Sequence, residues 1–269
     1  MNATTLTAPP LDALAQIAVA AGAEIMRIYA TDFAPHAKGD GTPVTLADEA
    51  AEAIIAEGLR DISSIPIVAE EAVSAGEVPS KSRVFFLVDP LDGTKEFVSR
   101  NGEFTVNIAL IAEGRPVMGV VLAPALGLLY AADASGAFRV QTDTPNARQP
   151  LRVRTATRAL KVVASRSHLS DETRQFVDRF NVDSFVSSGS SLKFCKLAEG
   201  SADLYPRLGR TMEWDTAAGD AVLRAAGGRV LAMDGTELAY GKCWPGEAGD
   251  TFANPHFIAC GAFDPFASA

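Results

Sequence analysis

Residues 84–97, VFFLVDPLDGTKEF, begin with a five-residue apolar run and end on two aspartates three apart, Asp89 and Asp92, followed by Gly-Thr-Lys-Glu. A short apolar run bounded by a turn reads as a strand buried along its length. Two carboxylates at the end of such a strand repel each other and lose hydration, which destabilises the chain unless a cation neutralises them. One stretch thus demands both a buried sheet and a charged centre at its end.

The elements around it are legible from hydrophobic period. Leu11, Leu14, Ile17, Ala18, Ala21, Ile25 and Ile28 recur at helical spacing directly after Pro9-Pro10, which predicts an amphipathic helix over 11–29. A turn with Gly39, Gly41 and Pro43 precedes TLADEAAEAIIAEGLRDI, a second helix with Thr45 as its cap and acidic residues in its first turn. IPIVAEE and VFFLVDP then read as buried strands. FTVNIALIAEGRPVMGVVLAP reads as two strands joined by a tight Glu-Gly-Arg-Pro turn, and LGLLYAAD and GAFRV as two shorter ones. Two helices followed by a run of antiparallel strands is an α+β pattern.

The polar segment QTDTPNARQPLRVR carries two prolines and no period, so a boundary near Arg148 is expected, dividing the chain into 1–148 and 149–269. Beyond it the order alternates as in an α/β unit. LKVVAS, SFVSS and ADLYPRL are strands; SDETRQFVDRF, capped by Ser170, SSLKFCKLAEG and WDTAAGDAVLRAAGG are helices, the last ending at Gly227-Gly228.

Composition narrows the function. A formal charge of −9 argues against wrapping a nucleic acid polymer or lying on an anionic membrane. The first ten residues lack a basic and an apolar leader region, and no uninterrupted apolar run has membrane-spanning length. A cytoplasmic protein with no integral membrane segment is expected, with peripheral attachment to the inner membrane and the choice of monomer or homodimer left open. Cys195, Cys243 and Cys260 are odd in number and in no CxxC pattern, which fits reduced thiols.

Several carboxylates stand at the ends of elements: Glu70 and Glu71 after one strand, Asp89 and Asp92 around the next turn, and Asp215 at the start of a late helix. Converging carboxylates hold a hard divalent cation, and with only three histidines, His36, His168 and His256, a histidine-rich zinc site is improbable. Mg²⁺ is the natural occupant and a phosphate ester the ligand it implies. Gly93-Thr94, directly after the acidic turn, can place backbone N–H groups at a helix N-terminus, where a phosphate sits well. Structural alternatives stand beside these readings. Glu71 can be a solvated charge, Asp215 a complement to a helix dipole, and Asp48 an N3 partner of the Thr45 cap. Haloacid-dehalogenase-type phosphatases also end an apolar strand in aspartates, but two apart, a spacing for covalent catalysis; three apart suits bridging metals.

AEE, DPLDGTKEF and WDTAAGDAVLRAAGG, in that order, resemble the lithium-sensitive, magnesium-dependent phosphomonoesterases of the inositol monophosphatase type. GTPVTLAD, DGTKEFVSRNGEFTVNIALI, SRSH, GSSLKFCKLAEGSADLYPRLG and EWDTAAG narrow the resemblance to the 3′(2′),5′-bisphosphate nucleotidase branch, over nearly the whole chain. The resemblance implies a layered αβαβα sandwich with an α+β half and an α/β half. It implies metal ligation by Glu70, Asp89, the Leu91 carbonyl, Asp92 and Asp215, with two or three Mg²⁺ ions. Asp48 and Thr94 correspond to the pair that activates the attacking water. Glu70, Leu91, Asp92, Gly93, Thr94 and Asp215 would also face the phosphate, and His168, Gly189, Ser190, Ser191, Lys193 and Arg207 match the nucleotide-side motifs. Lys193 and Arg207 have the chemistry to hold the phosphate that is not cleaved.

The implied reaction removes the 3′-phosphate of adenosine 3′,5′-bisphosphate, giving AMP, or of 3′-phosphoadenylyl sulfate, giving adenylyl sulfate. The rivals are an inositol monophosphatase, disfavoured by Lys95-Glu96 after the Gly-Thr, and a noncatalytic sensor, disfavoured because Glu70, Asp48 and Thr94 are all present. Thr42 stands where serine is usual before PVT, and the connection over 74–83 is short; neither touches an implied ligand.

Overall fold

In a computed structural model, residues 8–31, 43–155, 159–164, 170–247 and 251–267 are described. Helix α1 (Leu11–Tyr29) buries Leu11, Leu14, Ala18, Ala21, Ile25 and Ile28, the stripe its period predicts. Helix α2 (Pro43–Ile62) packs beside it, and both cover one face of a seven-stranded sheet. The second helix begins two residues before Thr45, with Pro43 in the first helical position, where a missing N–H costs nothing. Thr45 therefore lies inside the helix rather than before it, and the first turn holds no acid.

The seven strands run β1 (Ile67–Ala69), β2 (Val84–Asp92), β3 (Thr105–Ala112), β4 (Arg115–Ala123), β5 (Leu128–Asp133), β6 (Gly136–Gln141) and β7 (Gln149–Pro150), in sequence order across the sheet. All neighbours are antiparallel except β1 and β2. Glu70 and Glu71 do not prolong β1; they begin a short helix, α3 (Glu70–Ser74). The β3–β4 turn is tighter than the sequence suggests. Glu113 and Gly114, at φ 51° and 75°, form the two-residue loop, and Arg115 already pairs with Ala112. Positive φ at both loop positions matches the twist of an antiparallel pair. The buried reading of β2 holds on both faces: Phe86 and Val88 join the core under α1 and α2, Phe85 and Leu87 the core on the other side.

That other side is filled by α6 (Leu192–Ala198) and α7 (Trp214–Ala225), which separate the first sheet from a second. Contact of α7 with β4 is close enough that a Cβ at Gly119 would come within 2.6 Å of the Ala218 carbonyl oxygen. The second sheet has the order β11 (Arg229–Ala232), β12 (Phe257–Cys260), β10 (Leu204–Arg207), β8 (Leu160–Ala164), β9 (Val182–Ser187). β8, β9 and β10 are parallel, as expected for alternating elements; β12 lies antiparallel between β10 and β11. Helix α5 (Asp171–Val177), capped by the Ser170 hydroxyl as predicted, covers the outer face. Two sheets alternating with three helical layers make the expected αβαβα sandwich. Among the described residues no helix is long and apolar enough to cross a membrane, and none of the three cysteines is joined in a disulfide.

Candidate active site

The acidic turn is built by an irregularity in strand pairing. Asp89 pairs with Asn107 and Asp92 with Thr105, so two residues of β2 oppose one of β3, which is a β-bulge. In a regular strand, residues three apart point to opposite faces; the extra residue returns Asp92 to the face of Asp89. Inside the bulge the Leu91 N–H donates to Asp89 Oδ1 at 3.1 Å. Gly93 follows at φ 100° and ψ 51°, a left-handed conformation, and turns the chain into α4 (Thr94–Val98), with Thr94 as its first residue.

Other elements bring further carboxylates near Asp89. Asp48 comes from α2 and is buried. Glu70 is the first residue of α3, directly after β1, the parallel neighbour of β2. Asp215 comes from the first turn of α7, where its Oδ2 accepts the Met212 N–H at 2.8 Å. Asp89 feels them all: burial first, then the charges of Glu70, Asp92, Asp215 and Asp48, push its pKa well above the usual carboxylate range. Burial also raises Asp92, opposed by Lys193 and by hydrogen bonds from Ser191. Asp215 is pushed up to about 7 by burial and then by Asp92 and Glu70, with Met212 and Arg207 acting the other way.

The sign of these shifts gives a stability prediction. An acid whose pKa rises on folding stabilises the folded chain below its unfolded pKa and loses that contribution as pH climbs through the folded value. With Asp215 at about 7, chelator-treated protein is expected to unfold at a lower temperature at pH 8.5 than at pH 6. Saturating Mg²⁺ should narrow that gap, because a dication binds the ionised carboxylates. Thermal scans at both pH values, with and without the ion, read it directly; an equal or larger gap in Mg²⁺ would contradict it.

Among the described residues no three acidic, histidine or cysteine side chains are grouped tightly enough to enclose one ion. The donor set nevertheless fits a hard dication: it is all oxygen, buried at Asp89 and mutually repulsive. A second observation agrees. Thr105 Oγ1, both amide atoms of Asn107, Ser188 Oγ, Arg207 Nε and Trp214 Nε1 are buried without a hydrogen-bond partner. Thr105 and Asn107 are the cross-strand partners of Asp92 and Asp89, Ser188 adjoins Gly189, and Trp214 adjoins Asp215. Buried polar groups are normally satisfied, so orphans on the strand that pairs with the acidic turn fit a site that takes up ions, waters or substrate.

The second half of the chain meets the turn through residues 188–191. Ser190, at φ 45°, donates its hydroxyl to the Asp92 carbonyl at 2.9 Å, and the Gly189 N–H donates to Glu103 Oε2 at 3.0 Å. The Ser191 hydroxyl lies 2.7 Å from the Asp215 carbonyl and 3.1 Å from Asp92 Oδ2; its one proton is shared between them. Ser191 is thus turned toward the carboxylates. Beside this junction lies a cavity of about 200 Å³ lined by Asp92, Gly93, Lys193, Tyr205, Arg207 and Asp215 among others. Lys193 is buried there, donates to the Ser190 carbonyl at 3.0 Å and stands 5.7 Å from the Tyr205 ring centroid. Burial lowers its pKa, against the pull of Asp92.

A larger cavity of about 560 Å³, between α1 and β5–β6, is mostly apolar; its charged residues, Asp12 and Arg148, pair with each other at 2.6 Å. It offers no catalytic group. His168, expected on the nucleotide side, lies outside the described residues. Sequence reading passed over Glu52, Glu103, Asn107 and Tyr205. Asn107 had a signal: a polar residue inside an otherwise apolar strand.

Carboxylates from several elements gather around Asp89 in a two-sheet layered sandwich of the kind seen in phosphatases of the inositol monophosphatase type. The chain belongs to the inositol monophosphatase family, whose model matches residues 8–259, and that family is metal-dependent. It is 46% identical over 250 residues to the 3′(2′),5′-bisphosphate nucleotidase CysQ of Salmonella typhimurium, covering 92% of this chain and 98% of the relative. The CysQ of Escherichia coli strain K12 is 44% identical with the same coverage. Among solved structures, CysQ from Bacteroides thetaiotaomicron is similar at TM-score 0.80 and 37% identity, covering 93% of this chain and 96% of that one. An inositol monophosphatase from Anabaena is similar at TM-score 0.70 and 27% identity, covering 93% and 89%.

Proposed function

We propose that the chain is a Mg²⁺-dependent 3′(2′),5′-bisphosphate nucleotidase that removes the 3′-phosphate of adenosine 3′,5′-bisphosphate, and of 3′-phosphoadenylyl sulfate. The observation that carries the reading is the meeting of two unlike charge sets: carboxylates aligned by the bulge, and Lys193 with Arg207 in the adjoining cavity. The first set suits the phosphate that is cleaved, the second the one that is kept. The CysQ relatives, at 44–46% identity over most of the chain, support it.

In this reading Glu70, Asp89, the Leu91 carbonyl, Asp92 and Asp215 hold two or three Mg²⁺ ions. Bound there, the ions would neutralise phosphate charge, acidify the attacking water and stabilise the leaving oxygen. Asp48, on the buried side, and Thr94, at the start of α4, would deprotonate that water as a pair, the Thr94 hydroxyl accepting its proton while passing its own to the Asp48 carboxylate. The N–H groups of Gly93 and Thr94 orient the phosphate, which the left-handed Gly93 lets approach the backbone closely. Lys193 and Arg207 hold the other phosphate, while Gly189, Ser190 and Ser191 fix the loop between the two sites. His168 completes the nucleotide side. Division of the chain near Arg148 separates a catalytic half from a recognition half.

The test measures phosphate release with Mg²⁺ from adenosine 3′,5′-bisphosphate, inositol 1-phosphate and fructose 1,6-bisphosphate in parallel. The nucleotide should be strongly preferred and Li⁺ should inhibit; preference for the inositol ester would overturn the substrate assignment and leave the metal centre standing. Arg207→Gln gives a sharper expectation. A charge-assisted hydrogen bond contributes about 1.5–3 kcal/mol, so KM for the bisphosphate should rise roughly 10- to 100-fold. Because this phosphate does not react, kcat should change far less, and a kcat loss at constant KM would place Arg207 elsewhere.

A further inference from the structure

Glu52 lies one helical turn beyond Asp48 on α2, so both side chains leave the same side of the helix. Its carboxylate spans the start of α3: Oε2 accepts the Glu71 N–H and Oε1 the Ala72 N–H, each at 2.8 Å. Helix α3 has only five residues, and Ala69 before it supplies no side-chain cap. Two orphan donors of its first turn are thus satisfied by a residue from another helix. The choice of a carboxylate is electrostatically unfavourable, since Glu71 and Glu77 are near and burial opposes its charge. A glutamine would leave one of the two N–H groups facing an NH₂. Glu70 is the residue immediately before the two that are pinned, and it opens α3 toward Asp89.

We propose that Glu52 is a positioning residue for Glu70, clamping the first turn of α3 so that the Glu70 carboxylate is held toward the other acids of the centre. The inference rests on Glu70 being a metal ligand. Partners that orient a ligand usually change metal affinity about 10- to 100-fold when altered.

The experiment measures Mn²⁺ binding by calorimetry, without substrate, for Glu52→Gln, Glu52→Asp and Glu70→Gln, with thermal unfolding in chelator alongside. Ser170→Ala, which removes the cap of α5, serves as a variant of comparable stability loss far from the centre. Both Glu52 variants should weaken Mn²⁺ binding by tenfold or more while Ser170→Ala binds as the parent does. The aspartate retains the charge but withdraws it from the two N–H groups, so parent-like binding by Glu52→Asp would assign the effect to charge and overturn the proposal. Parent-like binding by Glu52→Gln, or equal weakening in Ser170→Ala, would also overturn it. If one Glu52 variant does not fold, the other decides. Should Glu70→Gln itself bind like the parent, the ligand assignment falls; if it weakens while the Glu52 variants do not, the positioning proposal alone falls.

Discussion

Asp89→Asn is expected to lower kcat/KM for phosphate release by on the order of 10³-fold, and to raise the unfolding temperature of the chelator-treated protein. The two effects have one cause. Asp89 is buried, and the charges of its neighbours Glu70, Asp92, Asp215 and Asp48 all act to raise its pKa. Asparagine keeps the shape and can still accept the Leu91 N–H that now lies 3.1 Å from Oδ1. Without a dication, the substitution removes repulsion and the cost of burying a charge. Relief of about 1–2 kcal/mol would raise the unfolding temperature by roughly 2–8 °C in a chain of this size. With the dication the same charge is needed, and activity goes. Kinetics with Mg²⁺ and thermal scans in chelator check both halves. Activity within tenfold of the parent would remove Asp89 from the centre, and a fall of several degrees would mean that the carboxylate is structural.

Gly93→Ala should cost about 2–4 kcal/mol of stability and at least 10²-fold in kcat/KM. Part is conformational, because φ 100° lies where side chains are rarely accommodated. The larger part is steric: a Cβ there would overlap the Ser190 hydroxyl and come within 3.2 Å of Phe104 Cα and Glu96 Oε2. Ser190 has little room to retreat, since its hydroxyl is bonded to the Asp92 carbonyl and its own backbone is left-handed. The methyl would therefore push residues 188–191 off the acidic turn and open the junction with the cavity. Gly76→Ala isolates the conformational part, because Gly76 has φ 84° and open space around it. Urea midpoints should show a much larger loss at 93 than at 76. Similar losses would mean that the loop yields, and activity should then survive.

Much of this architecture follows from local pattern. The period of 11–29 fixed which face of α1 is buried, and the unbroken apolar run of β2 required cover on both sides. Ser170 caps its helix because a hydroxyl at that position satisfies a free N–H whatever the tertiary context. Where pattern misled, a competing local preference decided: Pro43 opened α2 ahead of Thr45. β11 and β12 were not read as strands from the sequence.

The centre itself divides the same way. That Asp89 and Asp92 are three apart after a buried strand was plain in the chain, as was a glycine directly after them. Whether those two carboxylates share a face is not local information, because regular alternation would separate them. Pairing with Thr105 and Asn107 across a bulge put them together. The meeting of Asp48, Glu70 and Asp215 with them, the burial of Lys193 beside Arg207 and the clamp of Glu52 on α3 likewise depend on contacts between residues far apart in the chain. Sequence determined the elements, their faces and the kind of chemistry, since short-range sterics and hydrophobic period act within a turn or two. Tertiary structure alone decided which charges converge, because convergence is set by strand pairing and layer packing over distances that no local pattern encodes.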